Sequence, residues 1–303
     1  MSDPDLVADI GGTHARFALS DGGLHSVLSL PSQDFASLAD AARAYLAKVG
    51  AKPVRAAFAV AGPVGEGRVA LTNLGWNFSA DALGASLGMN VELINDFEAI
   101  ALSVPHLQAS DLMTVGPEIE GRGPVAIVGP GTGLGVAGFA HGGALVTEGG
   151  HADFAPADDV EIGILRTLRA RFGHVSWERV LSGPGLVNLH QALGGREALS
   201  PQEITARVGR DPLCAQTFER FCAILGSAAG DVALTLGARG GVLIAGGILP
   251  AMREAFAASG FRARFEAKGR FAGYLKAIPT RLIVQDHAGL IGAAASLRAM
   301  QAR

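Results

Sequence analysis

Two cysteines, Cys214 and Cys222, are all that the 303-residue chain contains. They are too few for a disulfide framework or a four-cysteine zinc site, and a reducing compartment is expected. Excess charge is also lacking: 25 Lys and Arg against 28 Asp and Glu leave a net −3. The broad basic surface that non-specific nucleic-acid binding needs is therefore missing, and no nucleic-acid partner is expected. No basic segment leading into an uninterrupted apolar run precedes Asp9, so no signal peptide is expected. The longest stretch free of formal charge, Gly123 to Thr147, has the length of a membrane span, but ten of its 25 residues are Gly or Pro. A spanning helix tolerates those poorly, and the stretch reads as strands and a glycine loop. A cytoplasmic protein with no membrane partner is the expectation. The dipeptide Gly-Lys does not occur, which rules out a Walker-type phosphate loop.

What is present is a globular composition, 49% hydrophobic and 17% charged, which argues against disorder. At roughly 100–200 residues per domain the length suits one large domain or two ordinary ones. Apolar runs predict strands over Leu6–Ile10, Ala15–Leu19, Ala56–Val60, Val91–Ile94, Val125–Val128, Gly135–Ala140, Val242–Ala245 and Arg281–Val284. Helical spacing lies between them: Phe35 to Leu46 with Ser32 or Asp34 as cap, a short helix capped by Ser79 or Asp81 and ended by Gly88, a stripe of Ile162, Leu165, Leu168 and Phe172, a long helix over about 215–236, a start at Pro250, and an Ala-rich segment Leu290–Met300. Interleaving of this kind indicates α/β. Only Gly11-Gly12-Thr13-His14 separates the first two strands, too few for a crossover, so the sheet is mixed and opens with an antiparallel hairpin.

Glycine, at 42 residues, is about twice its usual ~7% share, and much of the excess sits beside strands. The clusters are Asp9-Ile10-Gly11-Gly12-Thr13, Gly129-Pro130-Gly131-Thr132-Gly133-Leu134-Gly135 and Ala245-Gly246-Gly247-Ile248. Without a Cβ, backbone N–H groups can meet phosphate oxygens closely. Thr13 and Thr132 add hydroxyls, and Asp9 is placed to hold Mg²⁺, directly or through water. Any one cluster alone would read as an ordinary turn. Gly-x-Gly-x-x-Gly occurs at Gly133–Gly138, with a looser variant at Gly65–Ala70, but neither opens a helix as a dinucleotide fold requires. Gly84-Ala85-Ser86-Leu87-Gly88 fits a hydrolase motif by letters, but a helix precedes it and a strand follows, the reverse of a nucleophile elbow.

Three polar groups stand out. Asn95-Asp96 follows a strand and precedes a helical run, Phe97–Ser103; Asp96 there is either a ligand-side carboxylate or simply a helix cap. Glu148 and His151 flank Gly149-Gly150, so both can face one pocket as sugar or phosphate contacts, ahead of a zinc pair or a solvated turn. Glu178 lies in Ser176-Trp177-Glu178-Arg179-Val180, a predicted helix where it would ordinarily be a solvated charge.

Taken in order, the motifs Asp9-Ile10-Gly11-Gly12-Thr13, Leu93-Ile94-Asn95-Asp96-Phe97, Gly131-Thr132-Gly133-Leu134-Gly135, Glu148-Gly149-Gly150-His151, Ser176 to Gly185 and Ala245-Gly246-Gly247 resemble the bacterial glucokinases of the hexokinase type, in the actin/hexokinase/heat-shock ATPase superfamily. The resemblance spans essentially the whole chain. It implies a two-lobed, actin-like (ribonuclease H-like) α/β fold with mixed sheets and ATP and sugar in an interlobe cleft. The small domain would span 1–106, rejoined by a C-terminal helix at 287–303, and the large domain 107–286. It further implies Asp96 as the catalytic base, with Asn95, Glu148, His151 and Glu178 bonding glucose hydroxyls. Gly11, Gly12, Thr13, Gly131, Thr132 and Gly133 would cradle the phosphates, Gly246 and Gly247 the adenosine side, and Asp9 the Mg²⁺. With its reference pKa of ~3.9, Asp96 is expected to be ionised at neutral pH. A cytoplasmic homodimer acting on glucose and ATP is implied. Kinases for fructose, mannose or an amino sugar, a sugar sensor without turnover, and polyphosphate as donor remain alternatives. His14 and Pro130 depart from the family's pattern beside the phosphate loops. The cysteine-rich zinc motif of the related repressor and sugar-kinase group is missing after His151, and no DNA-binding extension is expected ahead of Leu6.

Overall fold

A computed structural model describes residues 3–62, 64–65, 67–71 and 74–301. Met1 and Ser2, Glu66 of the Gly65–Ala70 stretch, and the last two residues of the expected C-terminal segment lie outside them. The chain divides into two compact units, one comprising Met1–Gln108, Gly143–Val146 and Gln285–Arg303, the other Ala109–Gly142 and Thr147–Val284.

In the first unit, β1 (Asp5–Ile10) pairs antiparallel with β2 (His14–Ser20), which pairs antiparallel with β3 (Leu24–Pro31). The chain then crosses through α1 (Leu38–Val49) to β4 (Arg55–Val60), parallel to β1. A two-stranded ribbon, β5 (Arg68–Leu71) and β6 (Trp76–Ser79), leads through α2 (Ala80–Leu87) to β7 (Asn90–Asn95), parallel to β4, and on into α3 (Asp96–Ser103). The sheet order is β3-β2-β1-β4-β7. Its central strands are covered on both faces, so they read as unbroken apolar runs rather than as alternation. Leu6, Ala8, Ile10, Ala56, Phe58 and Val60 face Leu38, Tyr45 and Leu83 of α1 and α2. Val7, Ala57 and Ala59 face Ala99 of α3 and Leu290, Ala293 and Leu297 of the C-terminal helix.

The second unit holds β8 (Leu112–Thr114), β9 (Val125–Pro130) and β10 (Leu134–Ala140). The short strand β11 (Gly143–Val146) belongs with the first unit, against α3. Next come α4 (Asp159–Phe172), α5 (Gly183–Ala192), α6 (Pro201–Ala206) and α7 (Pro212–Leu236). The chain continues through β12 (Gly241–Ile244), α8 (Arg253–Ala257), α9 (Phe261–Glu266), α10 (Ala272–Lys276) and β13 (Thr280–Ile283), and closes in the first unit with α11 (Ala288–Gln301). Strands β9, β12 and β13 run parallel, with β10 antiparallel to β9 and β8 antiparallel to β13. Each unit's sheet thus contains a glycine-turned hairpin, β1–β2 or β9–β10, followed along the chain by strands parallel to its first strand.

Most expected elements are present, with corrections. Helix α1 is capped by Ser37, whose side chain accepts from Asp40 N–H; the expected caps Ser32 and Asp34 form a separate 3-10 turn. The inward face of α4 is Glu161, Ile164 and Leu168, so Ile162 is left 36% exposed. The other expected stripe residues, Leu165, Leu168 and Phe172, do pack on the core; the place beside Ile162 goes to Glu161, fully buried, which accepts from Arg220 and from both terminal nitrogens of Arg264. An ion held by that many donors can displace an aliphatic residue from the core. Helix α7 starts at Pro212, three residues before the expected stretch, because Asp211 caps it and the proline ring fits its first turn. Gly133–Gly138 lies within the turn and strand of the hairpin, as expected from the absence of a following helix. Among the described residues no helix is long and apolar enough to cross a membrane.

The closest helix contact in the first unit is between α11 and α3. A Cβ at Gly292 would come within 1.6 Å of the Ala99 carbonyl oxygen, so this crossing admits glycine alone. Gly292→Ala is expected to cost about 1–3 kcal/mol through the forced separation, read as a lower Tm. Gly273→Ala, on α10 with nothing within 4 Å of its Cβ position, should leave Tm unchanged or raise it.

Candidate active site

Asn95 and Asp96 stand at the carboxyl ends of the parallel strands β4 and β7, where open α/β sheets bind ligands. The two residues divide their work. The Asn95 side chain caps α3: its Oδ1 accepts from Phe97 N–H at 2.9 Å and Glu98 N–H at 3.2 Å, while the Glu98 carboxylate accepts from Asn95 N–H. Its Nδ2 donates to the Gly62 carbonyl at 3.0 Å. Asp96, the first residue of the helix, is thereby relieved of capping, and its Oδ1 accepts from Phe97 N–H at 3.0 Å. That answers the sequence-level alternative in which Asp96 is merely the cap. Asn95, expected as a sugar contact, has its carbonyl oxygen committed to the helix.

The charge state of Asp96 departs from expectation. Desolvation, reinforced by the neighbouring Asp9 carboxylate, pushes its pKa up to about 7, against weaker opposing hydrogen bonds from Phe97, its own N–H and Asn95. Burial therefore disfavours its ionised form, the reverse of what a free carboxyl shows at neutral pH. Asp9 is itself raised by burial, offset in part by Arg16, whose Nη1 lies 3.5 Å away, and by His287. Asp9 and Arg16 are cross-strand partners on β1 and β2.

Two contributions to this corner were invisible in the sequence. A Cβ at Gly289 would lie 2.9 Å from Asp9 Cγ, so the first turn of α11 presses on the carboxylate. His287, just before that helix, keeps its Nδ1 buried without a hydrogen-bond partner among the described residues. The only hint was Asp286-His287-Ala288-Gly289 ahead of an Ala-rich run. In the turn between β1 and β2, Gly11 N–H donates to the His14 carbonyl, and Thr13 O and Gly11 O accept from Ser32 N–H and Oγ. Gly12 and Thr13 are exposed at its tip.

In the second unit, Gly131-Thr132-Gly133 is the three-residue turn between β9 and β10. Gly131 N–H donates to Gly133 O, and Gly131 O accepts from Gly183 N–H, both at 2.8 Å. Gly246, with φ +90, runs against the same hairpin, since a Cβ there would lie 2.2 Å from the Pro130 carbonyl oxygen. Gly247 beside it has open space around its Cβ position.

Glu148 and His151 bracket a 3-10 turn, Gly149–His151. The two glycines are required by packing: a Cβ at Gly150 would lie 1.9 Å from Leu134 O, and one at Gly149 would lie 3.0 Å from Val136 Cγ1. Both polar residues are exposed, as a ligand contact requires. Among the described residues no three His, Cys, Asp or Glu side chains gather as a metal-ion site.

Glu178 is on a helix, but one of a single 3-10 turn. That turn, Trp177–Arg179, is docked on the His151 segment by Trp177 N–H to Ala152 O and by the Phe154–Trp177 ring contact. Glu178 is not a solvated charge: its Oε2 accepts from Leu134 N–H at 3.0 Å. The apolar Trp177 and Val180 on either side are buried and hold the turn in place.

Mixed sheets with glycine hairpins, parallel strands beside them and polar residues at the strand ends define the actin-like ATPase fold. Within that fold the chain belongs to the glucokinase family, whose model matches residues 6–300. It is 51% identical to the glucokinase of Caulobacter sp. (strain K31) over 96% of this chain and 94% of that one. The crystal structure of a glucokinase from an Antarctic psychrotroph matches with a TM-score of 0.86 at 41% identity, covering 99% of this chain and all of the other. A glucokinase of the repressor, open reading frame, kinase group from Streptomyces griseus, solved with glucose and AMPPNP, shares the fold with a TM-score of 0.67 at 19% identity over 97% of this chain and 98% of that one.

Because ionised Asp96 is disfavoured in the folded protein, its contribution to stability is fully present below about pH 4 and is lost as pH rises through about 7. Asp96→Asn is therefore expected to raise Tm relative to the parent at pH 8, with the difference shrinking towards pH 4. A Tm difference that does not vary with pH would contradict the shift.

Proposed function

We propose that this chain phosphorylates D-glucose at the 6-hydroxyl, using ATP, and that Asp96 is the base. The observation that carries the assignment of Asp96 is its release from capping by Asn95, in a desolvated corner where a pKa of about 7 suits proton transfer at neutral pH. As the 6-oxygen bonds to the γ-phosphorus, the bond from that phosphorus to the β–γ bridging oxygen breaks and ADP leaves, while Asp96 takes the hydroxyl proton. Phosphoryl transfer passes through a loose transition state, so positioning and charge neutralisation supply most of the rate. The backbone N–H groups of Gly12, Thr13, Thr132 and Gly133 in the two glycine turns, with the Thr13 and Thr132 hydroxyls, would bind phosphate oxygens. Gly246 and Gly247 would border the adenosine.

Magnesium fits the donor set if it arrives with the nucleotide. Mg²⁺ keeps several waters and takes only one or two protein carboxylates, and Asp9 is a mostly buried carboxylate with Arg16 at 3.5 Å and the Asp96 carboxylate nearby. Asp9 would hold the ion directly or through water, and the ion would offset phosphate charge. Glu148, His151, Glu178 and the Asn95 amide group would contact sugar hydroxyls. The same reading carries a cytoplasmic homodimer without nucleic-acid or membrane partners, with a small domain over 1–106 and 287–303 and a large one over 107–286; sedimentation checks the dimer.

Coupled ADP-release kinetics over a hexose panel, with the product identified, test this function. Glucose should give the highest kcat/KM and glucose 6-phosphate as product. Asp96→Asn should lower kcat about 10²–10⁴-fold, with both KM values within a few-fold of the parent. Normal turnover in that variant would remove Asp96 from the chemistry. Sugar binding without ADP release in the parent chain would favour a sensor.

A further inference from the structure

Glu178 is placed for two tasks at once. Its Oε2 accepts from the backbone N–H of Leu134, the residue that ends the Gly131-Thr132-Gly133 turn. Its Oε1 has no hydrogen-bond partner among the described residues. The contact is close by construction: a Cβ at Gly133 would lie 2.5 Å from Glu178 Oε2, and Glu178 is the only residue such a Cβ would meet within 4 Å. The other end of the turn is held by the same segment of chain, since Gly183 N–H donates to Gly131 O at 2.8 Å. Ser182 locks that segment internally, donating to the Glu178 carbonyl at 2.8 Å and accepting from Gly185 N–H at 3.0 Å as the cap of α5. The stretch from Trp177 to Gly183 therefore acts as a strap that grips the glycine turn at both ends.

We propose that Glu178 is a positioning residue for the nucleotide phosphates, acting through the Gly131–Gly133 turn, in addition to being a sugar contact. Oε2 fixes the turn so that its remaining backbone N–H groups stay aimed at phosphate oxygens, and Oε1 is left for a sugar hydroxyl. One carboxylate then serves both substrates, so the occupant of the sugar pocket and the geometry of the phosphate turn are coupled through a single side chain. This inference rests on the proposed roles of the turn and of Glu178. It goes beyond them in predicting a nucleotide defect that persists without sugar.

The test is calorimetric titration of Mg²⁺–AMPPNP into the sugar-free protein, alongside steady-state KM values. A contact to sugar alone cannot alter nucleotide affinity when sugar is absent. Loss of a hydrogen bond to a charged group corresponds to about a tenfold or greater change, so Glu178→Ala should raise the sugar-free nucleotide Kd by about that factor and also raise the glucose KM. Glu178→Gln should separate the two tasks. Its amide oxygen can still accept from Leu134 N–H, so the nucleotide Kd should stay within about threefold of the parent, while the glucose KM rises. Gly133→Ala displaces the carboxylate without changing residue 178 and should weaken nucleotide binding in the parent but add nothing in the Glu178→Ala background. If Glu178→Ala fails to fold, Glu178→Gln and Gly133→Ala carry the test. A parental nucleotide Kd in sugar-free Glu178→Ala or Gly133→Ala would overturn this inference and leave the glucokinase reading intact. Failure of the parent chain itself to bind nucleotide would overturn both.

Discussion

The helix cap supplied by Asn95 is the constraint on which the first unit's chemistry depends. A strand that runs straight into a helix must satisfy the helix's first N–H groups locally, and the residue at the junction ordinarily does so. Here the duty falls one residue before the carboxylate. Asn95 bonds two helix N–H groups and anchors to Gly62 O, while Asp96 accepts only from the first of them, Phe97 N–H. A capping aspartate would be stabilised as an anion and held well below neutrality. One that is instead desolvated beside Asp9 is driven the other way, towards the range in which a base can both take and hold a proton.

The second unit achieves its geometry through glycines that leave no room for substitution. Gly246 is pressed on Pro130, Gly150 on Leu134, and Gly133 on Glu178. Each removes a Cβ so that a second segment can approach the β9–β10 hairpin, from the 246–247 loop, the His151 turn and the strap that carries Glu178. The hairpin is thus the common surface against which the proposed sugar and phosphate contacts are set. The doubled arrangement, a hairpin with a glycine turn followed by parallel strands in each unit, gives both halves of the chain the same means of presenting backbone N–H groups.

Much of this was legible in the sequence where burial is two-sided. The eight expected strands all occur because each carries enough apolar residues to be buried, on both faces at the centre of the first unit's sheet, and the short β1–β2 connection could only be a hairpin. The strand β3 was missed because it lies at the sheet edge and is largely exposed, with His25, Ser26 and Ser29 in it. The helices α5 and α6 were missed because they are short and open on Gly-Pro and Pro rather than on an apolar repeat. At the site, the glycine clusters and polar residues were readable as types in a pattern, and their order pointed to the family. Their partners were not readable. The Glu178–Leu134 bond joins residues 44 apart, and the pressure of Gly289 on Asp9 joins the two ends of the chain. The shift of Asp96 depends on a dryness that no local pattern encodes, which is why its reference pKa misled.

The most direct measurement is carbon-13 NMR titration of the Asp96 side-chain carboxyl in the ligand-free protein, assigned by its loss in Asp96→Asn. The account predicts a midpoint near 7 that moves to lower pH in Asp9→Asn, where the neighbouring charge is gone. A midpoint near 4, unmoved by that substitution, would contradict it.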